Sequence, residues 1–180
     1  MKKSGILPAG NRTDVNALIF ESDTGELLLN QNACSMEVAT PMTEGSAQLA
    51  GNSCRFRVLE ILSRSTNSTA ALTSSDGKPL TESGRMVLVI ITEQAATGMR
   101  MTSDRITVLD PGCYPVLMKT GLFRFRLNLA EGEYTLYPLS VNGIRRAPLP
   151  MKREGRSLIA EIDTAALPNG PTPFFEIVRK

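Results

Sequence analysis

The chain has no histidine and no tryptophan. Without histidine it cannot form a Ser-His-Asp triad or a Cys-His nucleophile pair, and it has no imidazole ligand for zinc. Its three cysteines, Cys34, Cys54 and Cys113, show no Cys-x-x-Cys spacing, so neither a structural zinc site nor a dense disulfide framework is expected. We expect buried free thiols, and one disulfide remains as an alternative.

Long apolar runs are also missing. The longest, Met86–Ile91, is far shorter than the ~20 residues of a membrane-spanning helix. Lys2 and Lys3 resemble the start of an export signal, but only Ile6 and Leu7 follow, where a signal needs about 7–15 apolar residues. The sequence therefore predicts no membrane partner and no signal peptide in this chain.

A strong excess of one charge is absent as well. The net charge is +2 with both signs interspersed, which does not indicate a nucleic-acid partner. One local basic cluster comprises Arg145, Arg146, Lys152, Arg153 and Arg156. We interpret that cluster as the solvated face of a hairpin, with a polyanion site as the alternative.

What the chain does have is the patterning of one β domain. With 180 residues, 42% of them hydrophobic, it is long enough for one core. Residues 1–15 are polar and punctuated by glycine and proline, which predicts a flexible lead, and we expect residues 16–180 to form a single domain. Turn signals recur about every 8–12 residues, which is typical of a sandwich. We therefore predict an all-β fold, a two-sheet antiparallel β-sandwich that is immunoglobulin-like in general architecture.

Individual segments support this prediction to different degrees. Leu122–Leu129 alternates strictly between apolar and polar residues, and Asn142-Gly143 is a strong hairpin signal. Residues 86–92 are apolar on both faces, which predicts a central strand that is buried on both sides. Residues 44–50 read as one helical turn at most.

Two stretches carry a family resemblance. They are Ser22–Pro41, SDTGELLLNQNACSMEVATP, and Ser74–Met99, SSDGKPLTESGRMVLVIITEQAATGM. In this order they resemble the β-sandwich domain that follows the catalytic barrel in large polysaccharide-degrading glycoside hydrolases. YTLYPLSVNGIRR from Tyr134 and FFEIVRK from Phe174 extend the likeness, so that it covers roughly residues 17–180. The chain departs from that pattern in having Ala95-Ala96 where an asparagine often precedes the Thr-Gly pair, and in having no tryptophan.

The resemblance implies a non-catalytic accessory domain that supports the catalytic barrel of a glycoside hydrolase. The implied partners are that barrel and a polysaccharide, the parent protein would be secreted or periplasmic, and no cofactor is implied. A structural calcium is an alternative, with Ser22, Asp23, Asp76 and Asp104 as loop candidates, although no Asp-x-Asp-x-Asp spacing is present.

No catalytic residue is singled out by the sequence. A glycosidase working alone would need two carboxylates facing each other across a cleft, and nothing distinguishes a pair. The candidates, all explained equally well as surface carboxylates, are Glu26, Glu37, Glu60, Glu93, Asp104, Asp110, Glu131 and Glu133.

A stand-alone carbohydrate-binding module is the alternative function. Such modules stack sugar rings on exposed aromatic side chains. Aromatic residues make up only 5% of this chain, and its phenylalanines suit the core. Tyr134 and Tyr137 face opposite sides of one strand, so one is expected in the core. Tyr114 and Tyr137 are the candidate carbohydrate-binding residues.

Overall fold

A computed structural model describes residues 5–180, and in that range it contains strands and no helix. The strands are β1 (Ile19–Glu21), β2 (Leu27–Asn30), β3 (Ser35–Ala39), β4 (Thr43–Gln48), β5 (Cys54–Arg55), β6 (Leu59–Arg64), β7 (Ser68–Ser74), β8 (Arg85–Ile91), β9 (Gln94–Thr97), β10 (Arg100–Met101), β11 (Val108–Asp110), β12 (Cys113–Met118), β13 (Leu122–Leu127), β14 (Tyr134–Pro138), β15 (Met151–Glu154), β16 (Ser157–Asp163) and β17 (Phe174–Arg179).

Most of these strands belong to two antiparallel sheets. The eight-stranded sheet has the order β1-β2-β3-β4-β7-β8-β17-β14, and the five-stranded sheet has the order β15-β16-β13-β6-β5. Buried side chains of both sheets form one core, to which β8 contributes Met86, Leu88 and Ile90 and β13 contributes Phe123, Phe125 and Leu127. The predicted all-β sandwich is confirmed, and so is the inward face of the Leu122–Leu129 alternation.

A hairpin arm lies outside both sheets. Two small antiparallel ladders, β9 with β12 and β10 with β11, build this arm from residues 94–118. The turn spacing of the sequence predicts β structure here but gives no sign that these strands leave the sandwich. The arm exposes several apolar side chains, namely Ile106, Val108, Leu109, Val116 and Leu117.

The prediction of a helical turn at residues 44–50 is wrong. Thr43–Gln48 is strand β4, which pairs with β3 on one side and with β7 on the other. Its inward residues are Glu44, Ser46 and Gln48, all buried, whereas core strands usually turn apolar side chains inward. Because the buried positions of β4 are polar, hydrophobic periodicity in the sequence does not reveal this strand.

The prediction that β8 is buried on both sides is also wrong for this chain. Met86, Leu88 and Ile90 are fully buried in the core. On the opposite face, Val87 and Val89 are half-buried, and Ile91 is 46% exposed. Within the described residues, one apolar face of this central strand is uncovered.

The predicted lead of residues 1–15 includes residues 1–4, among them Lys2 and Lys3, which lie outside the described residues. Part of the remaining lead contacts strand β1. Asn11 is buried, and its side-chain amide donates to the Ser22 carbonyl at 2.8 Å. The Arg12 guanidinium donates to the Glu21 carboxylate at 2.6 Å.

The cysteines are free, but they are not all buried as predicted. Cys34 is exposed because it lies in the turn that precedes strand β3, and Cys113 is exposed at the first residue of strand β12. Cys54 is half-buried between the sheets, and burial raises the pKa of its thiol.

Candidate functional site

One side of the eight-stranded sheet forms an apolar surface, which we call the outer face. Cross-strand partners share a face, and the register aligns Phe20 with Leu29, Leu29 with Met36, and Met36 with Ala47. The outer face also includes Leu27, Val38, Ala71, Val87, Val89 and Ile91. Leu27, Leu29 and Met36 are 43%, 39% and 44% exposed.

The outer face is broad. From β1 to β8 it crosses five strand spacings of about 4.8 Å, or about 24 Å in all. An antiparallel sheet with one solvated side normally places polar residues there. Here the positions are taken mainly by aliphatic side chains and threonines, so the surface has the composition of a covered sheet.

Charged side chains gather at one end of the outer face. Glu176 is 4% exposed, and its carboxylate accepts hydrogen bonds from Arg85 at 2.5 Å and from Arg145 at 2.6 Å. The hydrogen bond from Arg145 is the largest cause of a Glu176 pKa below the usual range, and Arg85 adds to it. Arg145 also lies over the Tyr137 ring, 5.0 Å from its centroid.

The structure places the two candidate carbohydrate-binding tyrosines apart in the fold. Tyr137 lies on β14 of the eight-stranded sheet, where the Arg145 guanidinium occupies one face of its ring. Tyr134, on the same strand, packs against the core. Tyr114 lies in the arm and is 90% exposed, beside a hollow of about 280 Å³ whose lining includes Ala96, Pro111 and Val116. That hollow presents few polar side chains for sugar hydroxyl groups.

A larger cleft of about 570 Å³ lies at one end of the sandwich, and we call it the arginine cleft. Its walls come from β3 and β4 on one side and from residues 55–58 on the other, and residues 79–81 and Arg12 complete it. Arg55, Arg57, Glu37 and Glu44 bring charges of both signs to this cleft, and Phe56 and Pro79 bring apolar surface.

Glu44 is a buried carboxylate that holds one wall of the arginine cleft in place. It is 5% exposed, and its Oε2 atom accepts hydrogen bonds from the backbone amides of Val58 at 2.8 Å and Leu59 at 2.7 Å. A side chain of the eight-stranded sheet thus fixes the segment that carries Phe56 and Arg57. Sequence reasoning missed Glu44, because a carboxylate in a polar stretch usually faces solvent.

The candidate carboxylates are scattered over the fold and do not form a pair. One of them, Glu37, lines the arginine cleft, where the other carboxylate is Glu44. Glu60 accepts a hydrogen bond from Arg126 at 3.0 Å on the five-stranded sheet. Glu93 pairs with Arg105 and Lys119 in and beside the arm, and Glu133 pairs with Lys180. Since both amide donors converge on one Glu44 oxygen, that carboxylate serves as a structural acceptor.

The loop carboxylates considered for calcium bind their own turns. Asp76 accepts hydrogen bonds from Ser74, Ser83 and the Gly84 amide, and the Gly84 contact is the largest cause of an Asp76 pKa well below the usual range. Asp104 accepts from Thr102 and from the Ile106 amide. Asp23 accepts from the Thr24 amide. Within residues 5–180, no three of the His, Cys, Asp and Glu side chains are placed to hold a metal ion together.

Comparison with known proteins gives no relative: no family model, no curated protein and no solved structure matches the chain. Among the described residues there is no helix of the length and hydropathy needed to cross a membrane.

Proposed function

We propose that this chain is a non-catalytic accessory β-sandwich that packs against and supports the catalytic barrel of a glycoside hydrolase. The proposal joins the resemblance of Ser22–Pro41 and Ser74–Met99 to one structural observation, the uncovered outer face. β8 has the composition of a strand that is buried on both sides, and the sandwich buries only one side of it. A partner domain would bury the other side.

The shape of the outer face favours helices as its cover. An apolar sheet face is stably buried by another sheet or by helices that lie across it. A (β/α)₈ barrel presents its helices as an outer ring, and a sheet face about 24 Å wide spans two of them at the usual 8–10 Å separation. Contacts of this kind between domains of one protein bury about 600–1,500 Å².

The gene itself offers the first test. The DNA upstream of the Met1 codon is sequenced, and an in-frame β/α pattern with paired carboxylates is the expected result. A complete, separate gene with no barrel-type gene beside it would contradict the proposal. So would release of reducing sugar from a polysaccharide by the purified chain alone.

A matched pair of variants tests the docking surface. Met36→Lys places an ammonium group on the outer face, and Ser63→Lys places one at an exposed position on the five-stranded sheet. We expect Met36→Lys to weaken binding between the sandwich and the barrel at least tenfold, because an unpaired buried charge costs several kcal/mol. Ser63→Lys is expected to leave binding unchanged. If both variants weakened binding equally, the outer face would not be the interface.

A carbohydrate-binding module remains the second candidate function. Tyr114 is exposed as that function requires, but its hollow has few polar groups, and Arg145 covers Tyr137. The specific observation that favours carbohydrate binding is the arginine cleft.

A further inference from the structure

We infer that the arginine cleft binds an anionic saccharide, one whose sugar residues carry carboxylate or sulfate groups. This inference does not depend on the proposed docking to a barrel, because the two surfaces lie on opposite sides of β3. Glu37 and Ala39 line the cleft, whereas Met36 and Val38 belong to the outer face.

The cleft has the size and the fixed walls of a ligand site. Its volume of about 570 Å³ lies within the ~300–1,000 Å³ range of small-molecule sites. Glu44 holds one wall through the Val58 and Leu59 amides, and the Phe56 amide donates to the Leu59 carbonyl at 2.8 Å. The opposite loop is held by the Leu80 amide, which donates to the Pro41 carbonyl at 2.8 Å. Contacts within the chain hold these walls in place.

The lining suits a sugar ring. A pyranose ring presents an apolar face of C–H groups and a rim of hydroxyl groups that both donate and accept hydrogen bonds. Phe56, Pro41 and Pro79 supply apolar surface, and the side chains of Glu37, Thr40 and Thr81 supply acceptors and hydroxyl groups. The hollow beside Tyr114 lacks this mixture, although its aromatic side chain is more exposed.

The two lining arginines, which have no ion pair among the described residues, favour an anionic sugar. Arg12 is paired with Glu21, and Glu44 is occupied by two backbone amides. Glu60, the cross-strand neighbour of Arg55, is bound to Arg126 at 3.0 Å. The described residues provide no carboxylate within salt-bridge distance of Arg55 or Arg57, so both guanidinium groups remain available to an anionic ligand.

Arginine is well matched to such a ligand. Its planar guanidinium donates two parallel hydrogen bonds to a carboxylate or a sulfate, and these charge-assisted bonds are stronger than neutral ones. Arg55, Phe56 and Arg57 are consecutive and all line the cleft, so one segment brings two anion donors and an aromatic ring to it.

Affinity electrophoresis of the whole chain tests the inference. The probes are polygalacturonate for the carboxylate, a sulfated galactan for the sulfate ester, and a neutral galactan. We expect at least one anionic probe to retard the native protein and the neutral galactan to retard it much less. The anionic probe that retards the protein identifies the group that the site recognises.

Variants then place the binding in the cleft. Arg57→Ala is expected to lower affinity about tenfold because it removes charge-assisted hydrogen bonds to the anion, and Phe56→Ala about tenfold because it removes apolar surface beneath the sugar ring. Arg156→Ala, which removes an exposed arginine from another turn, is expected to bind like the wild type. Thermal unfolding of each variant verifies that it is folded, and Arg57 is exposed, so its loss should not disturb the core.

Three outcomes would overturn the inference. The first is that no anionic probe retards the protein. The second is that the neutral galactan binds equally well, which would remove the role of charge. The third is that Arg57→Ala and Arg156→Ala lose affinity to the same extent, which would mean diffuse attraction to a basic surface.

Discussion

At the scale of single residues, Glu176 is a buried carboxylate held by two arginines at the end of the outer face. Its pKa lies below the usual value of about 4.3 for a glutamate. The folded protein therefore binds fewer protons at this site than the unfolded chain. The resulting stability is fully present above about pH 5 and is lost as the pH falls through the lowered pKa.

Glu176→Gln tests this account. At pH 7 we expect the variant to lose about 1–2 kcal/mol of unfolding free energy, less than for a fully buried pair, because the side chains of Arg85 and Arg145 are 60% and 46% exposed. The difference from the wild type should shrink as the pH falls below about 4.3. Urea unfolding at pH 7, 5, 4 and 3 measures it, with Glu161→Gln as an exposed-carboxylate control. A difference that is constant with pH would contradict the linkage.

Residue-scale features were predictable where periodicity decides them. The odd spacing of Tyr134 and Tyr137 places them on opposite faces, and the structure turns Tyr134 toward the core. Exposure of Cys34 and Cys113 was not predictable, because it depends on how the adjoining turns sit in space. The contact of Arg145 with Tyr137 arises between residues outside one regular ladder, and no local pattern encodes it.

At the scale of elements, strand β8 has one face that is buried in the core and one face that is partly exposed. Leu88 is fully buried between the sheets, and its neighbour Val89 is half-buried on the outer face. Neighbouring residues of one strand thus experience two different environments.

Substitutions at these two positions should differ sharply in the isolated chain. Leu88→Ala is expected to lower the unfolding free energy by about 2–5 kcal/mol, the usual cost of a core cavity. Val89→Thr, which keeps the β-branched shape and adds a hydroxyl, is expected to change it by less than about 0.5 kcal/mol. Urea unfolding at low protein concentration makes the comparison. A loss above about 1 kcal/mol for Val89→Thr would mean that the isolated chain already covers its outer face.

Strands were predictable where one face is apolar and the other is polar. The alternation of β13 is strict because one face meets the core and the other meets solvent. β4 was missed because its inward residues are polar, and the arm was not distinguished from the sandwich because its strands have ordinary β composition. Hydrophobic periodicity reports which face is apolar, and it does not report whether that face is covered.

At the scale of the whole molecule, the two sheets are joined by polar ties as well as by the apolar core. Glu44 reaches from β4 to the amides at the start of β6. Arg64, which is 2% exposed, donates from β6 to the Ser46 hydroxyl at 3.0 Å and to the Ser68 carbonyl at 2.9 Å. Composition and turn spacing predicted the sandwich, but these ties and the arginine cleft they support depend on long-range pairing of the sheets.

The Glu44 tie yields the last prediction. Glu44→Leu removes the acceptor of two buried amides and should cost about 2–4 kcal/mol of unfolding free energy, because each unpaired buried group carries a desolvation penalty of about 1–3 kcal/mol. Glu44→Gln keeps an oxygen acceptor and should cost clearly less. Urea unfolding measures both costs, and hydrogen exchange should show faster exchange at Val58 and Leu59 in the leucine variant alone. If the leucine variant matched the wild type in stability and in exchange at these amides, the Glu44 hydrogen bonds would contribute nothing to the free energy of unfolding. Other contacts would then have to hold Phe56 and Arg57 at the cleft.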